Sequence, residues 1–277
     1  MSAPTLSADA AGIDHEELAY HAAKRREQWR RRVLPAAGLV GLIFAWFAIV
    51  EAFDVKPFIA PSPQLVLQTM IAKWSILWQN LVPTALEAFG GFMIGNLAAI
   101  LLATIFIHNK AVQEAFFLIA VVINTIPVVA KAPILVLLFG NGMEPKIIIA
   151  ALICFFPTLV NMTRGLEAVN PQSMELMRVL SASKTEIYFK LRLYNSLPYL
   201  FSALKIAAST SVIGAVVGEW IGSTKGIGAL IIQATYAFDS ALLYSAVIMS
   251  SLFSGAFFLL ITVIEKVVIK WQPANVH

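Results

Sequence analysis

The chain has 277 residues, of which 59% are hydrophobic and only 13% charged, about half the charged share of soluble domains. That excludes an ordinary water-soluble enzyme and indicates an all-α polytopic membrane protein. The net charge of +4 comes from Lys and Arg in loop positions and not on one helix face, so it reads as membrane topology and not as nucleic-acid binding. The lone Cys154 excludes a disulfide within the chain, and His15, His21, His108 and His277 are scattered without ligand spacing, so no metal site is expected.

Residues 1–14 are small and polar and are expected to be irregular; residues 15–32 are a charged helical tract with Lys24-Arg25-Arg26 and Arg30-Arg31-Arg32. Together, 1–32 reads as a cytoplasmic tail and basic helix resting on anionic lipid. The first apolar run begins near residue 33 and is too long for a signal-peptide core, so no leader is expected. It forms the first span, Val33 to Phe53. Residues 54–81 hold Pro57, Pro61-Ser62-Pro63 and an amphipathic tract from Leu65 to Leu77, with Trp74 and Trp78 at the membrane interface.

Five further spans follow: Val82 to Ile107, Ala115 to Phe139, Ile147 to about Arg164, Leu197 to Ile221 and Ala241 to Ile269. Residues 33–270 are thus one transmembrane domain of six helices, and 271–277 are a cytoplasmic tail. With the N-terminus inside, the Lys and Arg of the loops divide fourteen inside against four outside, Lys146 among the latter. That bias puts both termini and the loop between spans 4 and 5 in the cytoplasm.

This loop, Ser173 to Pro198, is a polar, amphipathic interruption of an apolar chain. Ser173 offers an N-cap for a short helix from Glu175 to Leu180; Ser181-Ala182-Ser183 breaks it, and a second helical stretch runs from Lys184 to Leu193 before Pro198 opens the fifth span. Two readings are open on pattern alone: a connector lying on the headgroups, or a knob presented to a soluble partner.

No Gly-x4-Gly-Lys-Ser/Thr cradle, Gly-x-Ser-x-Gly, His-Glu-x-x-His or paired-carboxylate arrangement occurs, so no catalytic residue is assigned and energy must come from a partner or an ion gradient. Gly91 and Gly95 in the second span, and Gly214 and Gly218 in the fifth, are small-xxx-small pairs that let helices approach closely. Ala203, Ala207 and Ser211 extend the small face of the fifth span, which suits either packing or a dimer seam. Four ionisable residues fall in or near spans. Lys131, between Pro127 and Pro133, either lines a translocation path or locks helices together, because freed carbonyls and a central ammonium need protein or water around them. Lys205 either snorkels to the cytoplasmic surface or joins the path. Glu219 sits near the external mouth on about the same face, and Glu87 reads as a packing or interfacial carboxylate.

Glu175-Leu176-Met177, then Ser181, then Leu191-Arg192-Leu193 resemble the E-A-A-x3-G-x9-I-x-L-P loop that marks permease subunits of binding-protein-dependent (type I) ABC importers. The departures are Leu176 and Met177 at the Ala positions, Ser181 at the Gly position and Tyr194 at the Pro position, with Pro198 four residues on. Val216-Val217-Gly218-Glu219, followed by Gly226-Ile227-Gly228 and Leu230-Ile231, resembles the V-x-x-E and G-x-G-x-L-I signature of the nitrate, sulfonate, taurine and thiamine-precursor branch. The resemblance implies a permease in the bacterial cytoplasmic (inner) membrane that carries a small polar solute, either a sulfonate-, taurine- or nitrate-like anion or a pyrimidine-type vitamin precursor. It also implies a second permease copy, two ABC ATPase subunits that hold ATP and Mg, and a periplasmic or lipid-anchored substrate-binding protein. Glu175, Leu176, Met177, Arg178, Ser181, Ala182 and Ser183 would dock on the ATPase. The rival from another class is an ion-coupled secondary transporter that works without an ATPase partner, in which the loop is dispensable.

Overall fold

The computed structural model describes residues 8–270, so the expected tail at 271–277 lies outside the described residues. These fall into two units, divided after Leu65. In the first, α1 (Ala8–Ala52) runs without a break from the region expected to be irregular, through the basic tract, to the end of the first span. Its apolar part, Val33–Ala52, has no fully buried residue, as suits a helix whose solvent is lipid. Asp54 ends it in the left-handed region at φ 46°, with Val55 N–H reaching Val50 O and Asp54 N–H reaching Glu51 O.

The helix α2 (Pro63–Ala72) starts with Pro63 after Ser62, whose hydroxyl accepts the Leu65 N–H at 3.3 Å. The amphipathic tract is not one helix to Leu77. It breaks at Lys73, and Trp74 and Trp78 stack on the first turns of α3 (Trp74–His108), their ring centroids 6.1 Å apart.

The second unit is organised around three long helices: α3, α6 (Glu144–Glu167) and α9 (Leu193–Glu219). With 35 residues, α3 is about 52 Å long. The glycines explain the arrangement. A Cβ on Gly91 would lie 2.9 Å from the Ala151 nitrogen, and one on Gly95 2.9 Å from the Ala151 Cα, so α3 meets α6 backbone to backbone. From the other side, a Cβ on Gly214 would lie 2.7 Å from the Ala150 Cα, and one on Gly218 3.1 Å from the Lys146 Cα. Two glycine faces thus clasp one helix at Ala150-Ala151, close enough for dispersion to act between main chains. Ala203, Ala207 and Ser211 are fully buried on the same helix as Gly214 and Gly218. The small face of α9 is therefore filled within the chain by α6 and is not free as a dimer seam.

Polar contacts lock the register. Thr158 donates to Asn96 Oδ1 at 2.6 Å between α6 and α3, and the Cys154 thiol donates to the Ala207 carbonyl at 3.3 Å. Cys154 is a packing residue, as its apolar setting suggests.

The third span is not straight. α4 (Lys110–Thr125) and α5 (Val128–Phe139) meet at 97°. Ile126 precedes a proline, which disfavours the helical conformation there, and it takes φ −65°, ψ 125°. Among the described residues, five helices are long and apolar enough to cross a membrane, and the bent pair makes a sixth crossing only as a broken one.

One helix was hidden in what reads as loop. α10 (Ile227–Tyr236) buries Ile227, Leu230 and Ala234, and its Ile227 and Leu230 pack with Leu77 and Leu81 of α3 and with Ala246 and Met249 of α11 (Ser240–Val268). Its ten residues are too short and too little periodic to stand out between two spans.

Two outcomes follow. Gly95→Ala places a methyl against the Ala151 main chain and should cost about 1–3 kcal/mol, as overpacking does, whereas Gly38→Ala, with nothing within 4 Å, should not lower the melting temperature measured in detergent. Asp239 caps α11 and accepts from Lys73 Nζ at 2.6 Å and from Leu242 N–H at 3.0 Å. The Lys73 contact holds its carboxyl below the ordinary range. A depressed carboxylate stabilises the fold above its unfolded pKa and loses that contribution as pH falls through the folded one. Melting curves from neutral to strongly acidic pH should therefore show a steeper acid decline for the native chain than for Asp239→Asn.

Candidate functional site

The loop between α6 and α9 is built more firmly than its polarity suggests. α7 (Pro171–Val179) starts two residues before the expected Ser173 cap. Asn170 caps it, accepting the Gln172 N–H at 2.9 Å, and Pro171 needs no donor at the first position. Its end is a Schellman closure: Ala182 N–H reaches Met177 O at 3.0 Å and Ser181 N–H reaches Arg178 O at 2.9 Å. Ser181 sits there at φ 52°. The family's glycine position is thus a true left-handed site, and serine adopts it at a cost of about 1 kcal/mol.

Ser183 opens the next turn through a capping box. Its hydroxyl accepts the Glu186 N–H at 3.3 Å, while Glu186 Oε2 accepts the Ser183 N–H at 3.0 Å. α8 (Lys184–Ile187) then passes through a π turn, Tyr188–Arg192, directly into α9. The second short helix is therefore not separate from the fifth span; Lys184 to Glu219 is one helical rod of 36 residues. The rod passes through Pro198, whose own carbonyl accepts the Ser202 hydroxyl at 2.9 Å.

Side chains of the π turn and of the start of α9 weld the loop to the core. Tyr188 is buried and its hydroxyl bonds Thr104 Oγ1 on α3 at 2.8 Å. Arg192 donates to Leu166 O at 2.9 Å, and Asn195 donates to Gly165 O and Ala168 O at 3.1 and 2.9 Å, all at the end of α6. A Cβ on Gly165 would lie 2.9 Å from the Ser196 Cα. The C-terminal carbonyls of α6, otherwise orphaned, are taken up by the start of the next rod.

What remains outside is chemically mixed. Glu175, Arg178, Ser181 and Ser183 are exposed, Met177 and Ala182 half-buried, and Leu176, Val179 and Leu180 show 60%, 82% and 66% of their surface. Three bulky apolar side chains exposed on a polar nine-residue helix and its C-cap Leu180 make a surface suited to cover by another protein. Val179 and Leu180 belong to it as much as the residues of the motif do. No sequence signal marks Asn170, Thr104 and Asn195 as supports, and Tyr188 and Arg192 stand in the sequence only as parts of the second helical stretch, although the Ser183-to-Glu186 spacing is a capping-box pattern readable in the sequence.

The other candidates separate. Lys205 is ion-paired with Glu265 of α11 at 2.9 Å, which replaces snorkelling by a helix-to-helix tie. Glu219 is 1% exposed at the opposite end of the bundle. It accepts from Thr84 Oγ1 at 2.6 Å and from the Gly228 N–H at 2.5 Å, while Thr84 in turn accepts the Ile227 N–H at 2.8 Å. Gly226, at φ 113°, would put a Cβ 2.6 Å from the Glu219 Oε2. Glutamate and glycines are thus one device that folds α10 back onto α3 and α9. Lys146 is no loop cation: it lies in the first turn of α6, 5% exposed, 3.4 Å from Glu87 and donating to Ser223 Oγ at 2.8 Å. Lys146 and Glu87 thus form a buried ion pair between α6 and α3. Lys131, between the break at Pro127 and the internal Pro133, is half-buried on α5 and makes no ion pair among the described residues.

Between α9 and α11 runs a groove of about 540 Å³. Ser209, Ser250, Ser251 and Ser254 line it with the rings of Trp220 and Phe258, and no charged side chain does.

The family described as "Binding-protein-dependent transport system inner membrane component" matches residues 95–271. The chain is 34% identical over 218 residues to a probable ABC transporter permease protein of Haemophilus influenzae, covering 78% of this chain and 89% of that one. It is 32% identical over 218 residues to the formylaminopyrimidine transport permease protein ThiX of Halalkalibacterium halodurans (78% and 87%). To the riboflavin transport system permease protein RibX of Chloroflexus aurantiacus it is 30% identical over 252 residues (90% and 94%). Relatives named for aliphatic sulfonates, taurine and nitrate match at 22–27% identity. Among solved structures, a chain of the inward-facing MetNI methionine ABC transporter shares the fold, with TM-score 0.58 and 20% identity over 73% of this chain and 98% of that one.

Replacing Ser181 by Gly should remove the left-handed penalty and raise thermal stability by about 0.5–1 kcal/mol; Ser181→Val should lower it by at least as much. Chemical denaturation in mild detergent reads both.

Proposed function

The chain belongs to the family of binding-protein-dependent transport system inner membrane components as the permease subunit of an ABC importer, and from that premise we propose that it carries an uncharged, flat nitrogen heterocycle of the vitamin or vitamin-precursor type. The groove between α9 and α11 carries this reading. Four serine hydroxyls and two aromatic rings, without a charge, offer stacking and hydrogen bonds to a neutral aromatic solute, whereas an anion at membrane depth would need a cation beside it. The relatives at 30% identity or more whose names give a solute are named for formylaminopyrimidine and riboflavin, which points the same way.

In this reading the loop end of the bundle lies in the cytoplasm. Glu175 to Ser183, with Val179 and Leu180, docks on a separate ATPase subunit, which binds ATP and Mg. Two permease copies, two ATPases and a periplasmic or lipid-anchored binding protein complete the importer. The ATPase pushes α7, and the rod from Lys184 to Glu219 carries that push into the groove, because the second half of the loop and one groove wall belong to the same rod. Lys131 would serve the path only if the solute were an anion.

The test is ATP-driven uptake in proteoliposomes that hold the permease, its ATPase and its binding protein. Pyrimidine or isoalloxazine uptake should fall about tenfold or more in Glu175→Ala with insertion unchanged, a loss of ~1.4 kcal/mol in coupling. Lys131→Gln should leave it within about twofold. Sulfonate or nitrate uptake that collapses in Lys131→Gln would overturn the neutral-solute reading, and full uptake in Glu175→Ala would overturn the coupling one.

A further inference from the structure

Behind the turn between α7 and α8 lies a cavity of about 230 Å³, against the end of α3. Its lining is strongly one-sided in charge. Arg178, Lys184 and Arg192 reach it together with His108, and no carboxylate does. Arg178 and Lys184 make no ion pair among the described residues, although Lys190 nearby is paired with Glu186 at 3.1 Å. The His108 Nδ1 lies 2.7 Å from the Thr104 carbonyl; a carbonyl only accepts, so Nδ1 carries the hydrogen and the ring is held in place. Tyr188, 5.3 Å from that ring, and Ile187 supply an apolar floor.

We propose that this cavity binds a phosphate group. Several cations turned into one concavity repel each other unless an anion joins them, and guanidinium forks fit phosphate oxygens two at a time. The apolar floor favours a phosphate ester over a bare ion. The place favours a lipid as its source: the cavity opens where the apolar run of α3, through Ile105, Phe106 and Ile107, gives way to His108, Asn109 and Lys110, which is the depth of headgroup phosphates. A bound phosphodiester would cross-brace Arg178 of α7 with Lys184 of α8 and Arg192 of the π turn, stiffening the loop that other proteins would meet.

The experiment uses the assembled full-length complex. It is extracted with phosphatidylglycerol or with phosphatidylcholine, delipidated in steps, and weighed by native mass spectrometry; lipid-free samples are then titrated with glycerol phosphate and inorganic phosphate while melting is followed. The wild type should retain phosphatidylglycerol longest, and Arg178→Gln/Lys184→Gln should lose that retention while Lys190→Gln keeps it. A melting rise with glycerol phosphate in the wild type, absent from the double variant, would support a phosphate site filled from solution as well. Equal lipid retention and equal titration in wild type and double variant would overturn the proposal. So would loss of the ATPase from the double variant with phosphate binding unchanged, since the cations would then serve a protein partner.

Discussion

Everything in the second unit depends on how closely α3 and α9 approach α6. Lipid offers no hydrophobic reward for bringing helices together, so contact must come from packing and hydrogen bonds. Glycine at 91, 95, 214 and 218 removes the side chains that would hold the main chains apart at Lys146, Ala150 and Ala151. Once they are that close, Thr158 can reach Asn96 and Cys154 can reach the Ala207 carbonyl. The register set there fixes where both ends of the bundle fall. At one end Glu219 meets Thr84 and the turn into α10; at the other, Tyr188, Arg192 and Asn195 meet α3 and the end of α6.

The loop between α6 and α9 is therefore bonded to the core at its second half. In the proposed reading a flexible linker would dissipate a push applied to α7, whereas the bonds from the π turn and from Asn195 to the ends of α3 and α6 would transmit it. The strained residue in this region is Ser181, held at positive φ by a Schellman closure on one side and a capping box on the other. Strain held between two well-made caps is a sign that the turn's geometry matters more than its stability.

Much of this was legible beforehand, for stated reasons. Apolar length marks a span whatever its partners, and motif spacing survives the replacement of Ala by Leu176 and Met177 because it encodes where a helix stops. The glycine pairs announced close packing, but not with which helix: a small face is a property of one helix, and its occupant is a property of two. For the same reason Lys205 read as snorkelling or pathway-lining and Glu219 as a residue near the external mouth, since Glu265 and Thr84 lie far off in sequence. Lys146 read as a loop cation because its partner Glu87 is on another span. The right angle at Ile126 was written in the pre-proline position, yet an unbroken apolar run outweighed it. α10 stayed hidden because its amphipathic signal is short and its burial comes from α3, α9 and α11 together.

The central claim is that loop and core move as one body. In the assembled complex, with one permease copy carrying spin labels at exposed positions 176 on α7 and 143 before α6, the label-to-label distance can be read with and without a non-hydrolysable nucleotide. The account predicts one narrow distance distribution that is the same in both states, while a distance between positions 176 of the two copies changes. A distance within one copy that shifts or broadens when nucleotide binds would show the loop hinging on the core, and would contradict it.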